Sequence, residues 1–170
     1  MFSKKAKKPA NKTQVQFVFI EESVGKVGSA MMKWQDLTWW PKKPGIKIKC
    51  KMPGPIEVGK VLQYKLTQPL LSGWTAEVVD FVPNRKLEST FKSGLLQGIE
   101  TIQIEERANG TKLEYRMDYQ VKGFLNKIFW AIWGERAHAN AIKKILEAFR
   151  DYVLREARQE QERRYEGQAP

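Results

Sequence analysis

The chain has a single cysteine, Cys50, and a single histidine, His138, among its 170 residues. One cysteine excludes an internal disulfide and suits a reducing compartment, so a cytoplasmic protein is expected. With one residue of each kind, the usual His/Cys zinc sites cannot be assembled, and no metal is expected. No run of about 18 apolar residues occurs, so no segment reads as a transmembrane span. The charged start Met1-Phe2-Ser3-Lys4-Lys5 has no apolar stretch behind it and does not read as a secretory signal. Walker loops, Gly-x-Gly-x-x-Gly, Gly-x-Ser-x-Gly and Cys-x-x-Cys are all missing. The common nucleotide, hydrolase and redox constellations are therefore excluded, and no cofactor is expected.

Acidic residues are the minority charge, 19 against 30 Lys and Arg, for a net charge of +11. Lys4, Lys5, Lys7, Lys8 and Lys12 sit in the first 13 residues without one acid. A polar, lysine-rich end of this kind is a disordered solubilising tail. Its functional alternative is a polybasic arm that contacts an anionic membrane surface. Nucleic-acid binding is the weaker reading, because aromatics are not interleaved among the lysines as single-strand binders require.

What is present is hydrophobic patterning, in two successive periods. Residues 14–20 form a first β-rich run, and Ser23 can cap a helix carrying Val24, Val27, Met31 and Trp34. Trp39-Trp40-Pro41 closes that region. Ile46, Ile48, Cys50 and Met52 then alternate with Lys47, Lys49 and Lys51, a half-buried strand with a basic outer face. Further strands are expected at 60–67, 74–82, 87–92, 97–107 and 113–121, with Asn109-Gly110 closing a hairpin through positive φ. Seven strands joined by short turns favour an antiparallel meander. From Leu125 the period changes to steps of three and four. Leu125, Ile128, Phe129, Ile132 and Trp133 are followed by Ile142, Ile145, Leu146, Phe149 and Val153, the apolar face of a long helix packed on the sheet. Gly134 is a candidate bend. The expected organisation is a basic tail over 1–13, one domain over 14–155, and a charged helix extension or frayed tail over 156–170.

The order strand, short helices, meander, long C-terminal helix resembles the helix-grip plan of the SRPBCC superfamily. That superfamily includes START domains, pollen-allergen-like proteins and polyketide cyclase/dehydrase-like proteins. Trp40-Pro41, Val58-Gly59, Pro83-Asn84-Arg85-Lys86-Leu87, Asn109-Gly110-Thr111-Lys112-Leu113 and Val121-Lys122-Gly123-Phe124-Leu125 carry the resemblance over about residues 14–150. Each marks a backbone requirement, a turn or a strand stop, and none is a catalytic motif. The resemblance implies an α+β fold, a seven-stranded antiparallel sheet curved around the C-terminal helix, with a cavity between them.

In such a fold, the inward strand positions line the cavity. Tyr64, Phe91, Tyr115, Met117 and Tyr119 are the candidate lining, with Trp133 near the mouth and His138 turned toward the sheet. Tyr64, Tyr115 and Met117 could equally form packed core, and the first reading of His138 is a partly buried helix histidine with a local partner. Glu135, one turn before His138, is the candidate that orients it, and Glu77 or Asp80 the candidate inward acid. The expected function is binding or carriage of a hydrophobic small molecule or lipid, with peripheral contact to an anionic membrane. The alternative is a polyketide cyclase- or dehydratase-like enzyme acting on an apolar substrate.

Overall fold

The structure, a computed structural model, describes residues 12–34, 38–43, 45–50, 54–66 and 73–166. Among these, seven strands form one antiparallel sheet: β1 (Lys12–Ile20), β2 (Ile46–Cys50), β3 (Val61–Leu66), β4 (Trp74–Val82), β5 (Lys86–Gly94), β6 (Leu96–Arg107) and β7 (Gly110–Val121). The order across the sheet is β1-β7-β6-β5-β4-β3-β2. Strands β2 to β7 are thus a meander, and β1 crosses over to pair with β7 from Lys12↔Tyr119 to Ile20↔Thr111. Lys12 and Thr13 belong to this strand, and Lys4, Lys5, Lys7 and Lys8 lie outside the described residues. α1 (Val24–Met31) follows β1, and the Ser23 hydroxyl accepts a hydrogen bond from the Lys26 amide at its N-terminus.

Alternation decides which face each strand buries. Trp74, Ala76 and Val78 of β4, Leu87, Ser89 and Phe91 of β5, and Leu113, Tyr115, Met117 and Tyr119 of β7 all point into the core. A register shift between Val78 and Asp80 reverses the phase late in β4, bringing Phe81 opposite the inward Leu87. Glu77 and Asp80, expected as candidate inward acids, instead lie on the partly exposed face, where they pair with Lys92 at 2.8 Å and Lys86 at 2.6 Å. The β6–β7 pairing also needs a position without a side chain. A Cβ on Gly98, where φ is +142°, would fall 2.1 Å from the Asp118 carbonyl oxygen.

The β6–β7 hairpin turns one residue earlier than expected. Arg107 pairs with Gly110, so Ala108 and Asn109 are the turn residues, and Asn84 is the described non-glycine residue with positive φ. Gly110 carries the expected positive φ, +153°, and a Cβ there would also lie 2.3 Å from the Ile20 carbonyl oxygen, where β1 closes on β7.

Gly123, with φ +81°, releases the chain into α2 (Phe124–Phe129), a π-helical turn (Trp130–Gly134) and α3 (Glu135–Glu166). At 1.5 Å per residue, α3 is about 48 Å long. Its buried stripe runs His138, Ala141, Ile142, Ile145, Leu146, Phe149, Tyr152 and Val153 against the sheet. The first half of the expected stripe turns the other way. Leu125, Ile128, Ile132 and Trp133 are exposed, and Trp130 and Gly134 are the buried positions in that region. The π turn explains the difference, because its wider winding resets the helical phase between two apolar stripes. Trp34, Trp39 and Trp40 clamp the other end, with Trp34 and Trp39 rings 5.2 and 5.1 Å from Phe149.

Candidate functional site

Between the sheet and α3 lies a small internal cavity of about 20 Å³. Its apolar wall comes from Trp34, Trp40, Ile46, Ile102 and the α3 residues Ile142, Ile145 and Leu146. Its polar wall is Tyr64, Trp74, Glu100, Tyr115 and His138. That volume holds about one water molecule, so anything larger enters only by displacing lining side chains. Tyr64 and Trp74 stack at 5.3 Å, and both also line an open groove of about 640 Å³ bordered by Lys47, Gln63 and Lys65. The stacked pair is therefore the partition between the cavity and the outside.

Glu100 is the group that sequence reasoning passed over. It sits on β6 in phase with Ile102 and Ile104, which directs its carboxyl inward. The Tyr64 hydroxyl donates to Oε1 at 2.8 Å and the Tyr115 hydroxyl to Oε2 at 3.2 Å. Burial pushes this carboxyl up to about 7, against the restraining hydrogen bonds of Tyr64, Tyr115 and Ser89. Burial likewise drives the Tyr115 hydroxyl well above its ordinary value, with the Glu100 charge adding to it.

His138 is fully buried, and Gln14 on β1 orients it, not Glu135. The Gln14 amide nitrogen donates to the Glu135 carbonyl oxygen at 3.0 Å, which turns Gln14 Oε1 toward His138 Nδ1. Nδ1 therefore carries the proton, and Nε2 is left as a lone-pair acceptor. Burial lowers the imidazole to about 3, so it is neutral at physiological pH. Its Nε2 and the Trp74 Nε1 are both buried without a hydrogen-bond partner among the described residues. The two rings are 5.7 Å apart. Glu135 instead forms an ion pair with Lys12.

The remaining candidates fall elsewhere. Phe91, Met117 and Tyr119 are buried in the core but do not line the cavity. Phe91 packs edge-on against Trp74, and the Tyr119 hydroxyl accepts from the Trp130 indole nitrogen at 3.0 Å. Trp133, expected near the mouth, is about half exposed and stacks on Phe129 on the outer side of the helix. Among the described residues, no group of His, Cys, Asp and Glu is placed to hold a metal ion.

No protein-family model matches the chain, and no curated protein does. Solved structures do match. The KanY protein superposes with a TM-score of 0.65 at 16% identity, covering 84% of this chain and 97% of its own. Norcoclaurine synthase from Thalictrum flavum, solved with dopamine and hydroxybenzaldehyde, gives 0.63 at 14% identity, covering 85% and 87%. Ara h 8.0201 gives 0.56 at 15% identity, covering 84% and 97%. The fold is a helix grip. These neighbours are helix-grip folds of the SRPBCC type, and at such identities the likeness is one of architecture. Among the described residues, no helix is long and apolar enough to cross a membrane.

Proposed function

We propose that this protein binds an apolar small molecule or lipid between the concave face of its sheet and α3. One observation carries the reading: β3, β4, β6, β7 and α3 each contribute a polar side chain to one otherwise apolar cavity. Buried polar groups destabilise a fold unless they are partnered, by about 1–3 kcal/mol each. A core built for stability alone would have apolar residues at Glu100 and His138. A few convergent polar handles on an apolar wall are the usual composition of a ligand site. Tyr64, Tyr115 and His138 are the contact residues of this proposal, with Phe91, Met117 and Tyr119 supporting the wall from behind. Native mass spectrometry of protein purified from its own cells should show a co-purifying small molecule. Protein that carries none, and takes up no hydrophobic dye, would oppose the proposal.

Acid–base chemistry is the second reading, favoured by Glu100. A carboxyl held near 7 beside a bound molecule can exchange a proton at neutral pH, as a cyclase- or dehydratase-like reaction requires.

The loading surface of this proposal is an anionic membrane. Phe124, Leu125, Ile128, Ile132 and Trp133 form an exposed apolar stripe, with Phe124 at 77% exposure, and Lys122 and Lys127 flank it in the open. Apolar residues with a tryptophan, set among lysines, suit the boundary between acyl chains and anionic headgroups. The overall charge of +11 acts in the same direction. Such a protein is cytoplasmic and peripheral to the membrane. Co-sedimentation with anionic vesicles and not with neutral ones supports this part; equal binding to both, or concentration-dependent dimers in its place, removes it.

A further inference from the structure

The cavity has an unusual pair of loose ends. Among the described residues, His138 Nε2 is an acceptor without a donor, and Trp74 Nε1–H is a donor without an acceptor. Both side chains line the same cavity, and their ring centroids are 5.7 Å apart. The tautomer is not free to change, because Gln14 Oε1 faces Nδ1 and the Gln14 amide nitrogen is itself committed to the Glu135 carbonyl. Nε2 can therefore only accept. Trp74 can only donate, since an indole nitrogen has no lone pair available.

An O–H group completes both, donating its hydrogen to Nε2 and accepting through its oxygen from Nε1–H; one water can do so in a cavity of this size, and a ligand hydroxyl does so in its place. A carboxylate can accept from Trp74 but has nothing to donate to His138. It would also bring a charge beside the Glu100 carboxyl, and among the described residues no Lys or Arg lines the cavity to balance it. An ether or ketone oxygen satisfies Trp74 and leaves His138 unpartnered.

We propose that the cavity selects an uncharged, hydroxyl-bearing apolar molecule, its hydroxyl bridging His138 Nε2 and Trp74 Nε1, and rejects carboxylates such as fatty acids. This rests on the ligand-binding reading above and adds the chemical class of the ligand. Tyr64 and Tyr115 hold Glu100 in place on the same wall, and its ionised form is the element that turns anions away.

Four small aromatics with one shared skeleton test it on the full chain: toluene, p-cresol, 4-methylanisole and p-toluate at pH 7. Affinities come from calorimetric or NMR titration. The chain has one histidine, so the imidazole nitrogen signals belong to His138 without further assignment. Leaving a buried acceptor unpartnered typically forfeits about a factor of ten or more in affinity. p-Cresol should therefore bind roughly tenfold tighter than toluene or 4-methylanisole and should move the Nε2 resonance, while p-toluate binds weakest of the four. His138→Phe should bring p-cresol down to the level of toluene, and Glu100→Gln should narrow the gap for p-toluate. If p-toluate binds as well as p-cresol, or p-cresol binds without moving Nε2, the hydroxyl class is wrong although the cavity still binds ligands. If none of the four binds, the ligand-binding reading falls and this inference falls with it. Should His138→Phe fail to fold, the ranking and the Nε2 signal in wild type still decide.

Discussion

Replacing Glu100 with Gln should change how stability depends on pH in a way no surface carboxylate would. Burial raises this carboxyl from the ordinary 4.5 to about 7, so the folded protein holds its proton more tightly than the unfolded chain does. A raised value contributes stability that is complete below the ordinary value and is lost as pH climbs through about 7. Each pH unit between the two is worth about 1.4 kcal/mol, so the full loss is about 3 kcal/mol. His138 runs the opposite way. Its lowered value, about 3 against 6.5, gives stability that is present above 6.5 and lost as pH falls. Wild type should therefore show a broad optimum, with the two groups opposing each other between about 4.5 and 6.5. Subtracting wild type from Glu100→Gln cancels His138 and isolates the carboxyl. Urea unfolding at half-unit steps from pH 4.5 to 8 should give a difference that grows in favour of the variant by about 3 kcal/mol and levels off above 7. The altered hydrogen bonds to Tyr64 and Tyr115 add only a pH-independent offset. A difference that stays flat over this range would refute the placement of Glu100 in a dry, hydroxyl-lined site.

Other consequences are simpler to check. Trp130→Phe removes the donor to the Tyr119 hydroxyl inside the core, and thermal or urea unfolding should show a loss of about 1–3 kcal/mol. Gly98→Ala forces a Cβ against the Asp118 carbonyl oxygen in the central β6–β7 pairing, and should cost more than about 1 kcal/mol by the same assay; an unchanged midpoint contradicts the close approach. Trp133→Glu leaves the cavity wall intact, since Trp133 is outside it, and should abolish co-sedimentation with anionic vesicles while sparing ligand uptake.

The fold was legible where alternation was clean. In β7, Leu113, Tyr115, Met117 and Tyr119 alternate with Lys112, Glu114, Arg116 and Asp118, and both the strand and its inward face follow directly. In β4 the bulge after Val78 shifts the phase within one strand, so no single period could assign Glu77 and Asp80 to a face. The helix stripe failed for a related reason. Two apolar stripes of different phase, one ending at Trp133 and one beginning at His138, read as continuous until the π turn separates them.

The candidate site was half legible. Tyr64, Tyr115 and His138 were identifiable as inward positions on a curved sheet and its helix. Glu100 also left a trace, as an acid in step with Ile102 and Ile104. What no periodicity contains is the meeting of β3, β6, β7 and α3 at one point, since Tyr64 and Glu100 are 36 residues apart and Gln14 and His138 are 124 apart. Those contacts depend on the order of the sheet and on β1 crossing to β7.

The central claim is that an apolar molecule binds between the sheet and α3. Four isoleucines line that space, Ile46, Ile102, Ile142 and Ile145, while Ile128 and Ile132 lie on the exposed helix face. Titrating isoleucine-methyl-labelled protein with p-cresol should move the four cavity methyl signals together, saturably and with one affinity, and leave Ile128 and Ile132 in place. Saturable shifts confined to Ile128 and Ile132, or no saturable shift at the four, would contradict it.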